Sequence, residues 1–400
     1  MISHQEKKEI IFCKKCVESN QRFMGSIQHA DTKNSVRQRT NFENGICGAC
    51  KYFEEKKKIN WKNREDELKD ILEKYRKNDG NYDVLIPGSG GKDSIFLSHV
   101  LKNKYKMNPL TVTWAPHIYT DIGWHNFKSW INMGFDNELH TPNPIVHKKL
   151  TKLAFENLLH PFQPFVLGQQ NLAPRLAIEK NIKLIIFGDA YFEKGVGGSI
   201  YGITGIKNKA LYSTTNKDLY FGGVHISELN KHDITNNDIK PYLPLNLEDV
   251  EKANLTVLNL PYYIKYNPQD NFYFASENSD FKVNPYRSEG TYTKYVSLDD
   301  KLDNLHFYTW FIKTGRGRAT EDAALEARNE IITRNEAIAL VKKYDGEFPK
   351  KYFDDILNYL NISEQKFNEI IDKFRPNHIW EKSNDTWKLK SAVWMSQKHN

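Results

Sequence analysis

The sequence predicts an α/β protein with a doubly wound parallel sheet, preceded by a cysteine-bearing segment and followed by a mainly helical region. Three observations carry this. Short apolar runs alternate with helical patterns between residues 81 and 187, as expected of parallel strands linked by crossover helices. All four cysteines fall in an otherwise polar N-terminal stretch. From Leu302 onward the periodicity is helical, broken by a turn at Asp345-Gly346.

Taken in order, residues 62–78 form a charge-dense helix with Leu68, Ile71, Leu72 and Tyr75 on one face. Residues 82–87 read as a strand, 94–105 as a helix and 110–114 as a second strand. Helices follow at 145–159 and 171–180, then a strand at 184–187. Residues 195–290 are rich in Gly, Asn and Tyr and read as irregular loops over short elements. At 400 residues the chain suggests two or three units. The expected boundaries are 1–60 for the cysteine segment, 61–290 for the α/β domain and 291–400 for the helical region.

Composition excludes several classes. A hydrophobic content of 39% with 27% charged residues rules out collagen-like, coiled-coil and wholly disordered chains. No window is apolar enough to span a membrane, and the polar first ten residues do not resemble a secretory signal. A cytoplasmic location is expected, where cysteines serve as metal ligands or reactive thiols rather than disulfides. The net charge of +7 permits anionic substrates or RNA and demands neither.

Cys13-Lys14-Lys15-Cys16 and Cys47-Gly48-Ala49-Cys50 are two CxxC knuckles. Each puts two thiolates at a tight turn, and four thiolates close a tetrahedral Zn²⁺ site. The gap between them exceeds the roughly 15 to 20 residues of a compact ribbon, so an insertion separates the knuckles. A structural zinc is the expectation, with a redox or persulfide pair as the alternative.

The segment Ile86-Pro87-Gly88-Ser89-Gly90-Gly91-Lys92-Asp93-Ser94 joins a strand to a helix. Its glycines let backbone amides converge on an anion at a helix N-terminus. It is not a Walker A loop, because Lys92 is followed by Asp93 rather than Ser or Thr. Ser89 to Ser94 instead resembles the SGGxDS loop of the PP-loop ATP pyrophosphatase superfamily. The resemblance implies that Ser89, Gly90, Gly91 and Ser94 hold the β- and γ-phosphates of ATP. It implies that Lys92 adds positive charge and that Asp93 positions Mg²⁺ or the loop itself. By the same analogy Trp114 lines the adenosine pocket.

Longer stretches narrow the match. Residues 109–116 and 119–124, Ser288-Glu289-Gly290-Thr291-Tyr292-Thr293-Lys294-Tyr295 and Leu298-Asp299-Asp300-Lys301 contribute to it. So do Gly315-Arg316-Gly317-Arg318-Ala319-Thr320-Glu321-Asp322-Ala323 and Ile332-Thr333-Arg334-Asn335-Glu336. Together with the knuckles they resemble the N-acetyl sugar amidotransferase family of pseudaminic acid, legionaminic acid and O-antigen pathways. The resemblance implies conversion of a sugar acetamido group to an acetamidino group with ATP and ammonia, releasing AMP and pyrophosphate. A glutaminase needs a cysteine nucleophile, and every cysteine here sits in a knuckle. A separate subunit should therefore supply ammonia, and the family resemblance implies a glutaminase and a cyclase-like ammonia-delivering subunit as partners, with no nucleic acid.

Further candidates surround this chemistry. Asp189 and Glu193 follow the strand 184–187, where they would bind Mg²⁺ or orient ammonia; helix capping and a solvated side chain are the alternatives. Asp189 departs from the Gly-Glu-Asn of the family. Arg316 and Arg318 lie in a Gly-spaced loop suited to a phosphate or sugar carboxylate, or to a plain surface turn. Arg287, Glu289, Thr291 and Lys294 sit among tyrosines that suit a sugar rim, or simply a packed loop. A tRNA-thiolating enzyme is the second reading, weakened by the absence of cysteines beyond Cys50. A zinc-ribbon scaffold that only senses nucleotide is the third.

Overall fold

A computed structural model describes residues 9–21, 29, 31–33, 40–188, 205–206, 209 and 212–395. A short hairpin of β1 (Phe42–Glu43) and β2 (Ile46–Cys47) leads into α1 (Gly48–Lys56) and α2 (Trp61–Tyr75). The central domain runs β3 (Val84–Pro87), α3 (Lys92–His99), β4 (Pro109–Trp114), α4 (Asp121–Asn132), β5 (Asp136–His140), α5 (Pro144–Leu158), α6 (Gln163–Glu179) and β6 (Leu184–Phe187). Four two-residue strands follow, β7 (Ser213–Thr214), β8 (Tyr220–Phe221), β9 (Val224–His225) and β10 (Leu245–Asn246), then α7 (Leu247–Lys252), β11 (Thr256–Asn259) and α8 (Pro268–Asn278). The C-terminal region comprises α9 (Asp303–Thr314), α10 (Arg318–Arg328), α11 (Arg334–Tyr344), α12 (Phe353–Leu360), α13 (Glu364–Lys373) and a hairpin of β12 (Trp380–Ser383) and β13 (Thr386–Leu389).

The sheet is all parallel, in the order β11-β6-β3-β4-β5. Strand side chains alternate between faces. Leu85, Ile185, Phe187 and Val257 face α5 and α6, packing on Leu150, Leu167 and Ala173. Val84, Ile86, Ile186 and Leu258 face Leu68 and Leu72 of α2 and Leu97 of α3. Both faces are covered, so the expected doubly wound sheet is present.

Several elements differ from expectation. The helix expected at 94–105 is α3 followed by a π-helical turn, Val100–Lys104. Helix α6 begins eight residues before the expected 171, with Pro164 in its first turn. The stretch 195–290 holds a sheet strand, β11, and an 11-residue helix, α8. The helical C-terminal region ends in a hairpin. No helix among the described residues is long and apolar enough to cross a membrane.

The cysteine segment does not stand apart. Cys13, Cys16, Cys47 and Cys50 share a buried cluster with Ala323 and Ala324 of α10, Ala337, Ile338 and Val341 of α11, and Val393.

Candidate functional site

Strand β3 leads outward on one side of the sheet and β6 on the other, so their carboxyl ends form the topological switch point where ligands gather in such sheets. A cleft of about 280 Å³ opens there. Its floor is Ser89, Lys92, Asp93 and Ser94, with Gly188 at the end of β6.

The loop geometry follows from its residues. Gly90 has φ +83°, and a Cβ there would lie 2.6 Å from Phe127 Cα. Only glycine fits both conditions. The Ser89 amide donates to Ser94 Oγ at 3.1 Å, which folds the loop over the start of α3. Asp93 accepts at Oδ1 from Tyr266 Oη (3.0 Å) and Asn271 Nδ2 (2.8 Å), and at Oδ2 from Lys92 Nζ (2.5 Å). Burial alone would push its carboxyl up, but Lys92, Asn271 and Tyr266 outweigh burial and hold it below the usual carboxylate range. Asp93 thus fastens α3 to α8 and to the segment leading into it. The Ser89 hydroxyl donates to Asp299, whose own carboxyl is raised by burial and by Asp300.

The opposite wall comes from α10. Arg318, Glu321, Asp322, Leu325 and Glu326 line the cleft at helical spacing. Arg318 Nε donates to Asp322 Oδ1 at 3.1 Å and its guanidinium lies 4.5 Å from the Phe307 ring centroid. Thr291 Oγ1 donates to Asp322 Oδ2 at 2.6 Å.

The structure brings Ser89, Lys92, Asp93, Ser94 and Arg318 to one cleft. It places other candidates elsewhere. Trp114 does not line the cleft; it is buried against Gly168, where a Cβ would come within 2.2 Å of its ring. Arg316 lies in the interior rather than in an exposed loop, its Nε 2.7 Å from Glu18 Oε1. Arg287 is bound to Glu347 at 2.6 Å, Glu289 accepts from Lys351 N and Asn304, and Lys294 donates to the Pro285 carbonyl. Thr291 supports Asp322 from behind. These four residues brace the loop rather than line the cleft. Asp189 and Glu193 lie outside the described residues.

Sequence reasoning passed over Tyr266, Asn271, Asp299, Asp322 and Glu326. The first two sit in the stretch read as irregular. Asp299 and Asp322 stand in motifs that carried the family resemblance and Glu326 just beyond one, but nothing in the spacing marked them as neighbours of the loop or cleft.

The four cysteine sulfurs lie within 4.8 Å of one another, and all four side chains are buried. Cys13–Cys50 and Cys16–Cys47 are each separated by 3.7 Å, the edge expected of a tetrahedron of about 2.3 Å Zn–S bonds. Arg328 Nη1 donates to Cys16 Sγ at 3.6 Å, and Arg334 Nε donates to the Cys13 and Cys16 carbonyls. The donor set fits a metal.

A parallel α/β sheet with a glycine-rich strand-to-helix loop at its switch point, closed by a helical C-terminal region and carrying a four-thiol cluster, defines the class. Residues 289–393 match the family model described as LPS biosynthesis protein WbpG-like, C-terminal domain. This match fits the N-acetyl sugar amidotransferase resemblance. An uncharacterized protein of Methanocaldococcus jannaschii is 40% identical over 53 residues, 13% of this chain and 19% of that protein. The chain therefore aligns with about a fifth of that relative's length. Among solved structures, a predicted subunit of tRNA methyltransferase from Methanocaldococcus jannaschii shares 15% identity at a TM-score of 0.26, over 48% of this chain and 75% of that one. The U34-tRNA thiolase NcsA from Methanococcus maripaludis, with its [4Fe-4S] cluster, shares 13% identity at a TM-score of 0.29, over 84% of this chain and 89% of that one. At such scores neither likeness bears on this chain's substrate.

Proposed function

We propose that the chain is an ATP-dependent N-acetyl sugar amidotransferase that turns an acetamido group into an acetamidino group in bacterial surface-polysaccharide or nonulosonic acid biosynthesis. One observation carries the reading: α10 of the WbpG-like domain forms the wall facing the Ser89–Ser94 loop. A polysaccharide-pathway domain and an anion-binding loop thus share one cleft.

The chemistry suits the residues. An amide oxygen is a poor leaving group. Attack of that oxygen on the α-phosphorus of ATP expels pyrophosphate and leaves an O-adenylyl imidate. Ammonia then adds to the carbon, and AMP departs with the oxygen. Ser89, Ser94 and the amides at the start of α3 would cradle the β- and γ-phosphates, and Lys92 would offset charge that builds on the departing pyrophosphate. Asp93 and Asp299, beside the loop, would hold an accompanying Mg²⁺. Arg318 would face the sugar or its carboxylate. The four thiolates would hold one Zn²⁺, which supplies folding free energy to the cysteine segment. A cubane iron–sulfur cluster would space its ligand sulfurs beyond the 4.8 Å observed, which favours a single ion. Ammonia would come from a separate glutaminase, since all four cysteines belong to the metal cluster.

The test is product analysis with ATP, Mg²⁺, ammonium and an acetamido sugar, a nucleotide-linked diacetamido uronic acid first. AMP with pyrophosphate, and a sugar lighter by roughly 1 Da from replacement of O by NH, support the reading. ADP with phosphate, or glutamate released from glutamine by this chain alone, overturns it.

A further inference from the structure

We propose that Glu326 is the carboxylate that takes a proton from the attacking ammonia and then pairs with the amidinium product. The inference rests on the amidotransferase reading and assigns one catalytic residue within it.

The argument begins with charge. The wall opposite a phosphate-binding loop is acidic: Glu321, Asp322 and Glu326 stand there against one cation, Arg318. Such a wall does not serve phosphate. It suits a group that is, or becomes, positive. Two of the three carboxylates have cationic neighbours. Glu321 lies 3.8 Å from Arg316, and Asp322 is held by Arg318 and Thr291. Glu326 differs. Its bonded neighbour is the neutral Tyr292 hydroxyl, which donates to Oε2 at 2.7 Å. Among the described residues no lysine or arginine is ion-paired with it. Burial raises its carboxyl above the usual range; the Tyr292 bond offsets part of this and Asp322 adds to it. A base with a raised value, in a cleft, with one oxygen fixed and the other free of a cation, is arranged to accept a proton.

The step balances. The ammonia lone pair forms the C–N bond to the adenylylated carbon as the π pair of the imidate C=N moves onto the sugar nitrogen. The new ammonium gives one proton to Glu326. The electron pair so released forms C=N as the C–O bond to AMP breaks, and that bond's pair leaves on the phosphate oxygen. Glu326 then returns its proton to the sugar nitrogen, so the product is an amidinium cation, whose parallel N–H bonds match the regenerated carboxylate. Adenylylation, one step earlier, needs no base at this position.

Glu326→Gln separates the two steps. The wild-type chain should catalyse acetamido-sugar-dependent exchange of pyrophosphate into ATP, and the variant should keep that exchange within about threefold. Amidine formation from ammonia should fall by about 10²–10⁴-fold, the usual worth of a general base. Hydroxylamine, whose adduct loses a proton more readily, should restore turnover as an amidoxime. Loss of exchange together with amidine formation, or retention of both, overturns the assignment. Should Glu326→Gln not fold, Tyr292→Phe gives the same reading, with a smaller loss confined to the ammonia step. If the wild type shows no acetamido-sugar-dependent exchange, the amidotransferase reading itself is wrong and the assignment falls with it.

Discussion

Glu18 and Arg316 form an ion pair at 2.7 Å across 298 positions of sequence, and both side chains are almost completely removed from solvent. The guanidinium also lies 5.2 Å from the Trp310 ring centroid. The pair joins the cysteine segment to the turn between α9 and α10. Removing one partner strands a buried charge, so Glu18→Ala should cost about 3–5 kcal/mol. The double variant Glu18→Leu with Arg316→Met should recover much of that loss. Denaturant unfolding of the two variants beside the wild type checks this. A single variant as stable as the wild type would show that the pair has no structural weight.

Metal content gives the second prediction. The purified chain should hold one zinc ion per molecule, measured by elemental analysis, and Cys47→Ser should lower the melting temperature and the zinc content together. Strong chelation should unfold the N-terminal segment while leaving the parallel sheet, seen by far-UV circular dichroism. Iron with acid-labile sulfide in place of zinc would require a different role for the knuckles.

The loop is the third. Asp93→Ala removes the acceptor for Tyr266, Asn271 and Lys92 at once and should lower kcat by about 10²–10³-fold, the range seen when a positioned electrostatic group is lost. Asn271→Ala removes one donor and should show a smaller effect, chiefly on the KM for ATP. Equal losses in the two variants would mean that Asn271 acts by some route other than Asp93.

Gly90→Ala tests the backbone. Its φ of +83° and the 2.6 Å approach to Phe127 Cα leave no room for a methyl group. ATP binding should be lost with little change in the melting temperature, because the strain falls on the loop and not on the sheet. An isothermal titration matching the wild type would refute the close-approach argument.

The pH dependence of stability is the last. Burial pushes Asp303 up to about 6, partly opposed by Arg318 and Ser297 and reinforced by Asp299 and Asp300. Its ionisation is disfavoured in the fold relative to the unfolded chain. The stability it contributes is full below the ordinary value near 3.8 and is lost as pH rises through about 6. Asp303→Asn cannot lose it. The urea midpoint of that variant should gain on the wild type between pH 4 and pH 7, and parallel curves would contradict this.

What the sequence disclosed follows from where each signal resides. Strand β6 coincides with the expected 184–187, because four consecutive apolar residues buried on both faces leave a strong pattern. Strand β5 was missed because it is an edge strand in which four of five residues, Asp136, Asn137, Glu138 and His140, are polar and no residue is fully buried. Helix α8 was missed because Pro-Gln-Asp-Asn-Phe-Tyr-Phe has weak helix propensity; it stands on an Asn267 cap and on packing against α3. The terminal hairpin was signalled by Asn384-Asp385, both with positive φ, within a stretch read as helix. Arg316 was misplaced for a different reason. A Gly-Arg-Gly-Arg run looks exposed when the carboxylate that buries the first arginine is distant in sequence. The Ser89–Ser94 loop was legible because its residues are consecutive in sequence; the carboxylate wall of α10 was not, because it gains meaning only from what faces it.

The shared core of the cysteine segment and α10–α11 has a consequence for biosynthesis. The knuckles leave the ribosome long before the alanines and Val341 that cover them. With Arg316 following Glu18 by 298 residues and translation at roughly 5–20 residues per second, the thiols wait on the order of 15 to 60 seconds for their lid. During that interval they are open to oxidation and to competing metals. Loading of the ion is therefore a timed event, exposed to the redox state of the cell, and a message cut short before α10 would yield knuckles with nothing to close over them.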